Sequence, residues 1–470
     1  MVRNDLTHCD DAQRTAPGAR RHGVLLDRLA ALIDRERTSY AARRPRSAAL
    51  AKAAAAHWHD GVPLHWMSDW GLPFPMFLER AKGSTLVDAD GNAHVDFCLG
   101  DTGSMFGHAP EPIVAAVAEQ AAKGITGMLP STLVPEVGRL LADRFGLPWW
   151  QITMTASDAN RSVIRWARAV TGRRDILVFD GCYHGAVDDT HVRLRDGRPI
   201  LRPGLMGQVW NLPEHTRVVP FNDAAALEAA LADGDVALVL AEPVMTNIGM
   251  VLPEPGFHAV LRDLTRKAGT LLAIDETHTI SSGPGGYTRA HGLDPDFFVL
   301  GKPIAGGVPA AVYGFTDAVA EGMKRARAAI PGYSGMGTTL TANALAVAAM
   351  RVCLTEVMTP GAWDHMIGLA DRLADDLARV IARHRLPWVV TKVGARVEFM
   401  LSPTRPKDGG EAGRIGDAEI EGALRLFLIE RGVIVTPFHN MMLIAPSTTL
   451  ADVERLVSAF DAALAELAGT

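Results

Sequence analysis

From about residue 151 onward, short apolar runs rich in Val, Ile and Leu alternate with Ala-rich stretches in which apolar positions recur every third or fourth residue. Apolar runs of about 4–8 residues bounded by turn residues read as strands buried on both faces, and the longer periodic stretches read as amphipathic helices. The predicted strands are 151–154, 176–179, 236–240, 270–274, 297–300 and 310–315, with helices at 158–171, 224–232 and 255–268 between them. Such alternation predicts a parallel or mostly parallel, doubly wound sheet wrapped by helices. Helices are expected at 343–355 and 362–384, and further strands and helices at 388–391, 396–401, 417–431, 433–436 and 451–467. Upstream, an amphipathic helix is predicted at 23–37 behind a polar tail. The expected organisation is a large α/β domain over 100–335. An N-terminal arm with part of a small domain (1–99) and a C-terminal part (336–470) would join as a smaller α+β domain.

Size and composition narrow the class. A chain of 470 residues with 48 % hydrophobic and 21 % charged residues is neither collagen-like nor disordered. Its net charge of -6 lacks the basic excess that nucleic acid or an anionic membrane would require, so neither partner is expected. Cys9, Cys98, Cys182 and Cys353 are widely spaced, with no zinc-type pairing. They predict reduced thiols, no metal site and a cytoplasmic location, in keeping with an N-terminal stretch that has no leader-like apolar run. Only 8 of the 47 basic residues are lysines, so chemistry that needs an amine has few places to reside.

Ligands of open α/β sheets bind beyond the carboxyl ends of the strands. Polar, glycine-flanked groups follow the predicted strand ends in succession: Thr155–Asp158, Asp180–Gly185, Ala241–Pro243, Asp275–His278 and Gly301–Pro303. Lys302 sits between an apolar strand and Pro303. Partial desolvation there would make its amine a Schiff-base nucleophile or a proton shuttle, unless the side chain snorkels to solvent. Asp275 closes an apolar run, and a buried carboxylate needs a cation or strong donor such as a protonated pyridine nitrogen; capping of the next helix is a second reading, and a metal-binding acidic pair with Glu276 a third that no further ligand at suitable spacing supports. Ala156 and Ser157 open a helix, whose free N–H groups can take a phosphate. Tyr183 can stack on a planar cofactor or pack in the core, and the segment from Gly185 to about Pro213 is longer than a simple connection needs. An amine, a buried carboxylate, a stacking ring and a phosphate site are together what pyridoxal 5'-phosphate (PLP) requires.

Three stretches carry a resemblance. The segments at 300–309 (LGKPIAGGVP), 179–185 (FDGCYHG) and 77–83 (FLERAKG) are similar to motifs of the class III aminotransferases of PLP fold type I, with the glutamate-1-semialdehyde 2,1-aminomutases the most similar branch. The resemblance implies that Lys302 forms the internal aldimine, Asp275 pairs with the pyridine nitrogen, Tyr183 stacks on the ring and Asn247 lies near the ring hydroxyl. It further implies that Ala156 and Ser157 hold the phosphate, that Glu242 and Thr277 line the cofactor, and that Thr339 reaches a phosphate from the partner copy in a homodimer with shared sites. An amino group would pass from a small amine or amino-acid donor to a keto or aldehyde acceptor. Intramolecular transfer of the aminomutase kind is an alternative, and a nucleotide-dependent oxidoreductase a remote one, since no Gly-x-Gly-x-x-Gly stands between a strand and a helix.

The chain departs from that pattern where substrate is gripped. The aminomutase segment that carries a carboxylate-binding arginine is replaced by His57-Trp58-His59 and by the stretch from His65 to Trp70. Met441-Met442-Leu443-Ile444 stands where many class III enzymes carry another such arginine. Trp66, Trp70, His278 and Arg396 are the substrate candidates, in an aromatic pocket or, for the tryptophans, in a subunit interface.

Overall fold

The computed structural model describes residues 18–330, 332 and 334–469; Cys9 and most of the expected N-terminal tail lie outside them. Its largest sheet has seven strands: β1 (Trp149–Thr153), β2 (Asp175–Phe179), β3 (Thr216–Val219), β4 (Val236–Ala241), β5 (Leu271–Asp275), β6 (Phe297–Leu300) and β7 (Ala311–Phe315). They lie in the order β3-β2-β4-β5-β6-β7-β1. Neighbours from β3 through β6 are parallel, whereas β7 runs antiparallel to both β6 and β1. The sheet is therefore mixed and mostly parallel. β4 is buried at all six positions of Val-Ala-Leu-Val-Leu-Ala, which is why it reads as an uninterrupted apolar run rather than an alternation.

Six of the seven strands, all but β7, end at one edge, and the loops that carry the candidate residues follow five of them, β1, β2, β4, β5 and β6. The helix Ala156–Thr171 follows β1 and buries Ala159, Val163, Ile164 and Ala167 against the sheet. Thr155 caps it by accepting from the Asp158 N–H, which supports the first turn. The expected helix at 343–355 is Ala344–Val352 continued by a π-helical turn, Cys353–Val357.

The chain ends meet in smaller sheets. Val433–Ile434 pairs in parallel with Ala93–Asp96, closing a four-stranded sheet with Thr85–Asp88 and Leu78–Lys82. Val389–Val393, Arg396–Met400 and Met441–Leu443 form a three-stranded antiparallel sheet. The N-terminal helix is longer than expected, Leu26–Arg43, and lies against Ala418–Glu430. Just beyond it, the fully buried Arg44 donates to Asp88 at 3.1 Å and to Glu430, bridging sequence-distant elements. The long stretch after Gly185 holds a hairpin, Val192–Arg195 with Arg198–Leu201, anchored when Asp180 accepts from Arg193 and from the Leu194 N–H. Among the described residues no single helix is long and apolar enough to cross a membrane.

Candidate active site

A cavity of about 340 Å³ opens at the carboxyl edge of the sheet, lined among others by Ala156, Ser157, Tyr183, Glu242, Asp275, Thr277, His278 and Lys302. Its floor is backbone. Gly185, with φ +86°, packs on Ser157 so closely that a Cβ there would stand 2.9 Å from Ser157 Cβ and 3.0 Å from its Cα. A Cβ on Gly301 would meet Ala156 Cβ at 2.8 Å. Ser157 Oγ accepts from the Ala186 N–H at 3.0 Å, tying the loop after β2 to the helix start. Ala156 and Ser157 occupy the first turn, where amide N–H groups have no acceptor within the helix and the dipole end is positive.

Asp275 ends β5. It accepts from His184 Nδ1 at 2.9 Å and Asn160 Nδ2 at 2.8 Å through one oxygen, and from the Thr277 N–H at 3.1 Å through the other. Burial alone would raise its pKa; the His184 bond and charge, with the Thr277 and Asn160 bonds, outweigh burial and bring it down to about 2. His184 moves the other way: burial opposes its charge, but Cys182 and Asp275 hold its pKa well above the ordinary value. Glu242, at the end of β4, is raised by burial and accepts from the Tyr183 N–H and from the Thr246 N–H and hydroxyl. Thr277 Oγ1 accepts from the Gly301 N–H at 3.3 Å, stitching β5 to the lysine loop.

Lys302 itself adopts φ +45°, a left-handed conformation uncommon for a residue with a Cβ. Its Nζ donates to Asp101 Oδ2 and to His278 Nε2, both at 2.8 Å. That contact leaves His278 Nδ1 facing Thr102 Oγ1 at 3.2 Å. Burial, then the Lys302 charge, lowers the His278 pKa well below its usual value. Arg396 is fully buried and donates to Thr102 Oγ1 at 2.5 Å, with Nη2 3.2 Å from His278 Nδ1.

Other candidates fall elsewhere. Asn247 is buried behind Glu242, to which its Nδ2 donates at 3.4 Å, and does not line the cavity. Trp66 is on an exposed turn, and Trp70 packs near Tyr40 and Leu426; neither lines the cavity of its own chain. Thr339 is exposed on a turn and also lies outside that cavity. Sequence reasoning passed over Asp101, Thr102, Asn160 and His184. Asn160 and His184 carried a signal, being one helical turn past Ser157 and next to Tyr183. Asp101 lies 201 positions before Lys302, and only its flanking glycines marked it.

A sequence profile described as aminotransferase class III matches residues 66–464. The chain belongs to the class III aminotransferases. It is 32 % identical over 90 % of its length to glutamate-1-semialdehyde 2,1-aminomutase of Desulfosudis oleivorans, of which 99 % is covered. The crystal structure of a glutamate-1-semialdehyde aminomutase from Pseudomonas aeruginosa PAO1 superposes with a TM-score of 0.92 at 48 % identity, covering 94 % of this chain and 99 % of that one. An omega-transaminase from Sphaerobacter thermophilus superposes with a TM-score of 0.83 at 29 % identity, covering 90 % and 98 %. Class III aminotransferases use PLP, and a variant of the Pseudomonas protein has been solved in complex with PMP. The fold is thus PLP fold type I, and the chemistry is PLP-dependent amino transfer between small-molecule amine and keto substrates. The oxidoreductase alternative falls with this membership. The residues at the cavity suit the cofactor: a helix start for the phosphate, an ionised buried carboxylate for a protonated ring nitrogen, a half-exposed aromatic ring and a lysine amine.

Proposed function

We propose that this chain is an aminotransferase in which Lys302 is the lysine that holds PLP and moves the proton. When bound, PLP supplies an electron sink for the pair left on carbon as a proton departs. Asp275, kept anionic by His184 and Asn160, would hold the ring nitrogen protonated. Ala156 and Ser157 would hold the phosphate through backbone N–H groups, Tyr183 would cover the ring, and Glu242 with Thr277 would shape its edge, Asn247 acting behind Glu242. Lys302 Nζ would take the proton from the donor's α-carbon and deliver it to the cofactor, as general base and then acid. The observation that carries this reading is the convergence of Lys302, Asp275 and the start of the helix Ala156–Thr171 on one cavity. His278 and Arg396 would form its substrate side, and Trp66 and Trp70 would pack between subunits.

Two copies of the chain would pair, Thr339 of each serving the phosphate of the other; its exposed turn, away from its own cavity, supports this. Free, buried thiols at Cys98, Cys182 and Cys353 support a cytoplasmic location. Incubated with PLP, the wild-type chain should gain visible absorbance that borohydride abolishes while fixing the reduced pyridoxyl group on the peptide containing Lys302, and Lys302→Ala should do neither. Label on any other lysine would overturn the assignment. The names of the relatives favour one second reading, intramolecular transfer, marked by turnover of a single substrate with no added acceptor. Dependence on an added keto acid would decide for the aminotransferase.

A further inference from the structure

Residues 99–102 adopt four left-handed conformations in succession: Leu99 at φ +47°, Gly100 at +58°, Asp101 at +48° and Thr102 at +84°. Only one of the four is glycine, so the segment persists because its surroundings over-determine it. Leu99 is fully buried, and Asp96 Oδ1 accepts from the Cys98 and Leu99 N–H groups at 2.8 and 3.0 Å. The Asp101 N–H donates to Cys98 O at 2.9 Å and the Ser104 N–H to Leu99 O at 2.9 Å. What this costly turn delivers is one carboxylate, Asp101, onto Lys302 Nζ.

That carboxylate is incompletely used. Oδ2 accepts from Lys302, while Oδ1 is buried and accepts no hydrogen bond among the described residues, the nearest ion-pair contact being His278 Nδ1 at 3.8 Å. About a quarter of each side chain remains exposed, 26 % for Asp101 and 28 % for Lys302; Lys302 lines the cavity and Asp101 stands behind it, so a bound molecule meets the carboxylate where the lysine moves aside. Arg396, through Thr102 and His278, supplies positive charge behind it. When Lys302 turns to its reaction, Asp101 gives up its ammonium partner and holds two acceptor oxygens in a confined space. For Lys302 Nζ to take a proton from carbon, that carbon must come within about 3–3.5 Å. A group on the neighbouring carbon that turns toward the lysine's resting partner then meets Asp101, whose own oxygen starts 2.8 Å from Nζ.

We propose that Asp101 is a specificity-determining residue of this site: its carboxylate accepts a hydrogen bond from a hydroxyl or ammonium group carried on the carbon next to the one that bears the reacting amine. The substrate class is a vicinal amino alcohol or vicinal diamine, and a carboxylate in the same place is repelled. This rests on the PLP reading above, and it concerns which amine is accepted rather than how the amine reacts.

The test is a near-isosteric series of donors, ethanolamine, ethylenediamine, propylamine and β-alanine, reacted with the PLP-loaded wild-type chain and with Asp101→Asn and Asp101→Ala. Wild type should favour ethanolamine or ethylenediamine over propylamine by at least about a hundredfold in kcat/KM, with β-alanine poorest. Asp101→Ala should collapse that ratio to within about tenfold, and Asp101→Asn should lose the ammonium preference more than the hydroxyl preference. A binding readout separates selection from mere support of Lys302: in PLP-loaded Lys302→Ala, spectral titration should show the same order of Kd values, flattened when Asp101→Ala is added. Equal slowing of all four amines by the Asp101 variants, with their ratios kept, would overturn the proposal. So would a wild type that does not discriminate. Failure of the wild type to gain visible absorbance with PLP would overturn it together with the reading beneath it.

Discussion

Replacing Asp275 with asparagine keeps the shape of the side chain and removes its charge. The carboxylate is 5 % exposed and receives three donors, and its pKa falls from 3.8 to about 2. At 1.36 kcal/mol per unit that displacement is worth about 2 kcal/mol to the folded state. Because the folded value is depressed, the contribution is complete above pH 3.8 and is lost as pH falls through 3.8 toward 2. Breaking a buried pair costs more, about 3–5 kcal/mol, when the remaining partner keeps its charge. His184 can shed its proton once Asp275 is neutral, so the expected loss for Asp275→Asn is about 2–4 kcal/mol at neutral pH. For a folding unit of about 200 residues this lowers Tm by roughly 4–15 °C. The assay is thermal unfolding of the apo chain from about pH 5 to 8, with the gap between variant and wild type steady across that range. With PLP the gap should widen, because wild type gains about 2.7 kcal/mol at a cofactor concentration of 100 Kd and the variant gains less. An apo Tm within a degree of wild type would show that the carboxylate is not the ionised centre of the His184–Asn160 network. An unwidened gap with PLP would refute its proposed hold on the ring nitrogen.

Gly185→Ala should destabilise by about 2–5 kcal/mol, from the left-handed backbone and from overpacking on Ser157; in the Gly185→Ala/Ser157→Gly double variant at least about 1 kcal/mol should return, and strict additivity of Tm shifts would contradict the contact. Arg44→Met leaves Asp88 buried without its guanidinium and Glu430 with no cation but the partly exposed Arg43 at 3.4 Å, and should cost about 3–5 kcal/mol, measured as a drop in Tm; a neutral result would mean that the Arg44 bridge does not hold the N-terminal helix. Gly394, at φ +57°, has Ser282 Cα 2.5 Å from where a Cβ would stand. Gly394→Ala should therefore shift the strand Arg396–Met400 away from the His278 loop, so amino transfer falls at least tenfold while far-UV circular dichroism stays native. Unchanged kcat/KM would show that Arg396 needs no such register.

What could be read from the chain follows what the residues record locally. β2, β4, β5 and β6 were legible because strands buried on both faces are written as continuous apolar runs. β3 was missed: Thr216–Val219 is an edge strand in which Thr216 and Arg217 leave only two apolar residues, too few to stand out between a histidine and a proline. The reversed direction of β7 was equally hidden, since an apolar run does not encode polarity. Lys302 and Asp275 announced themselves at strand ends, but the partners that set their chemistry did not. His184 meets Asp275 across 91 positions, and Asp101 meets Lys302 across 201, through a backbone turn that no propensity of Leu99 or Thr102 foretells.

This division has a physical origin with a consequence for experiment. The groups assigned to the cofactor hang from β1, β2, β4, β5 and β6 of one sheet, so their spacing is set by ladder hydrogen bonds and a shared core. Asp101 and Arg396 arrive instead from the smaller sheets built by the two chain ends, over the strained turn at 99–102 and the tight bend at Gly394. Substitutions on the first set should change PLP affinity by the same factor whatever amine is offered. Substitutions at Asp101 or Arg396 should leave PLP affinity within a few-fold and reorder the amines. A Ser157 variant that reordered donors at unchanged PLP affinity, or an Asp101 variant that weakened PLP without reordering them, would mean that the two halves of the site are mechanically coupled.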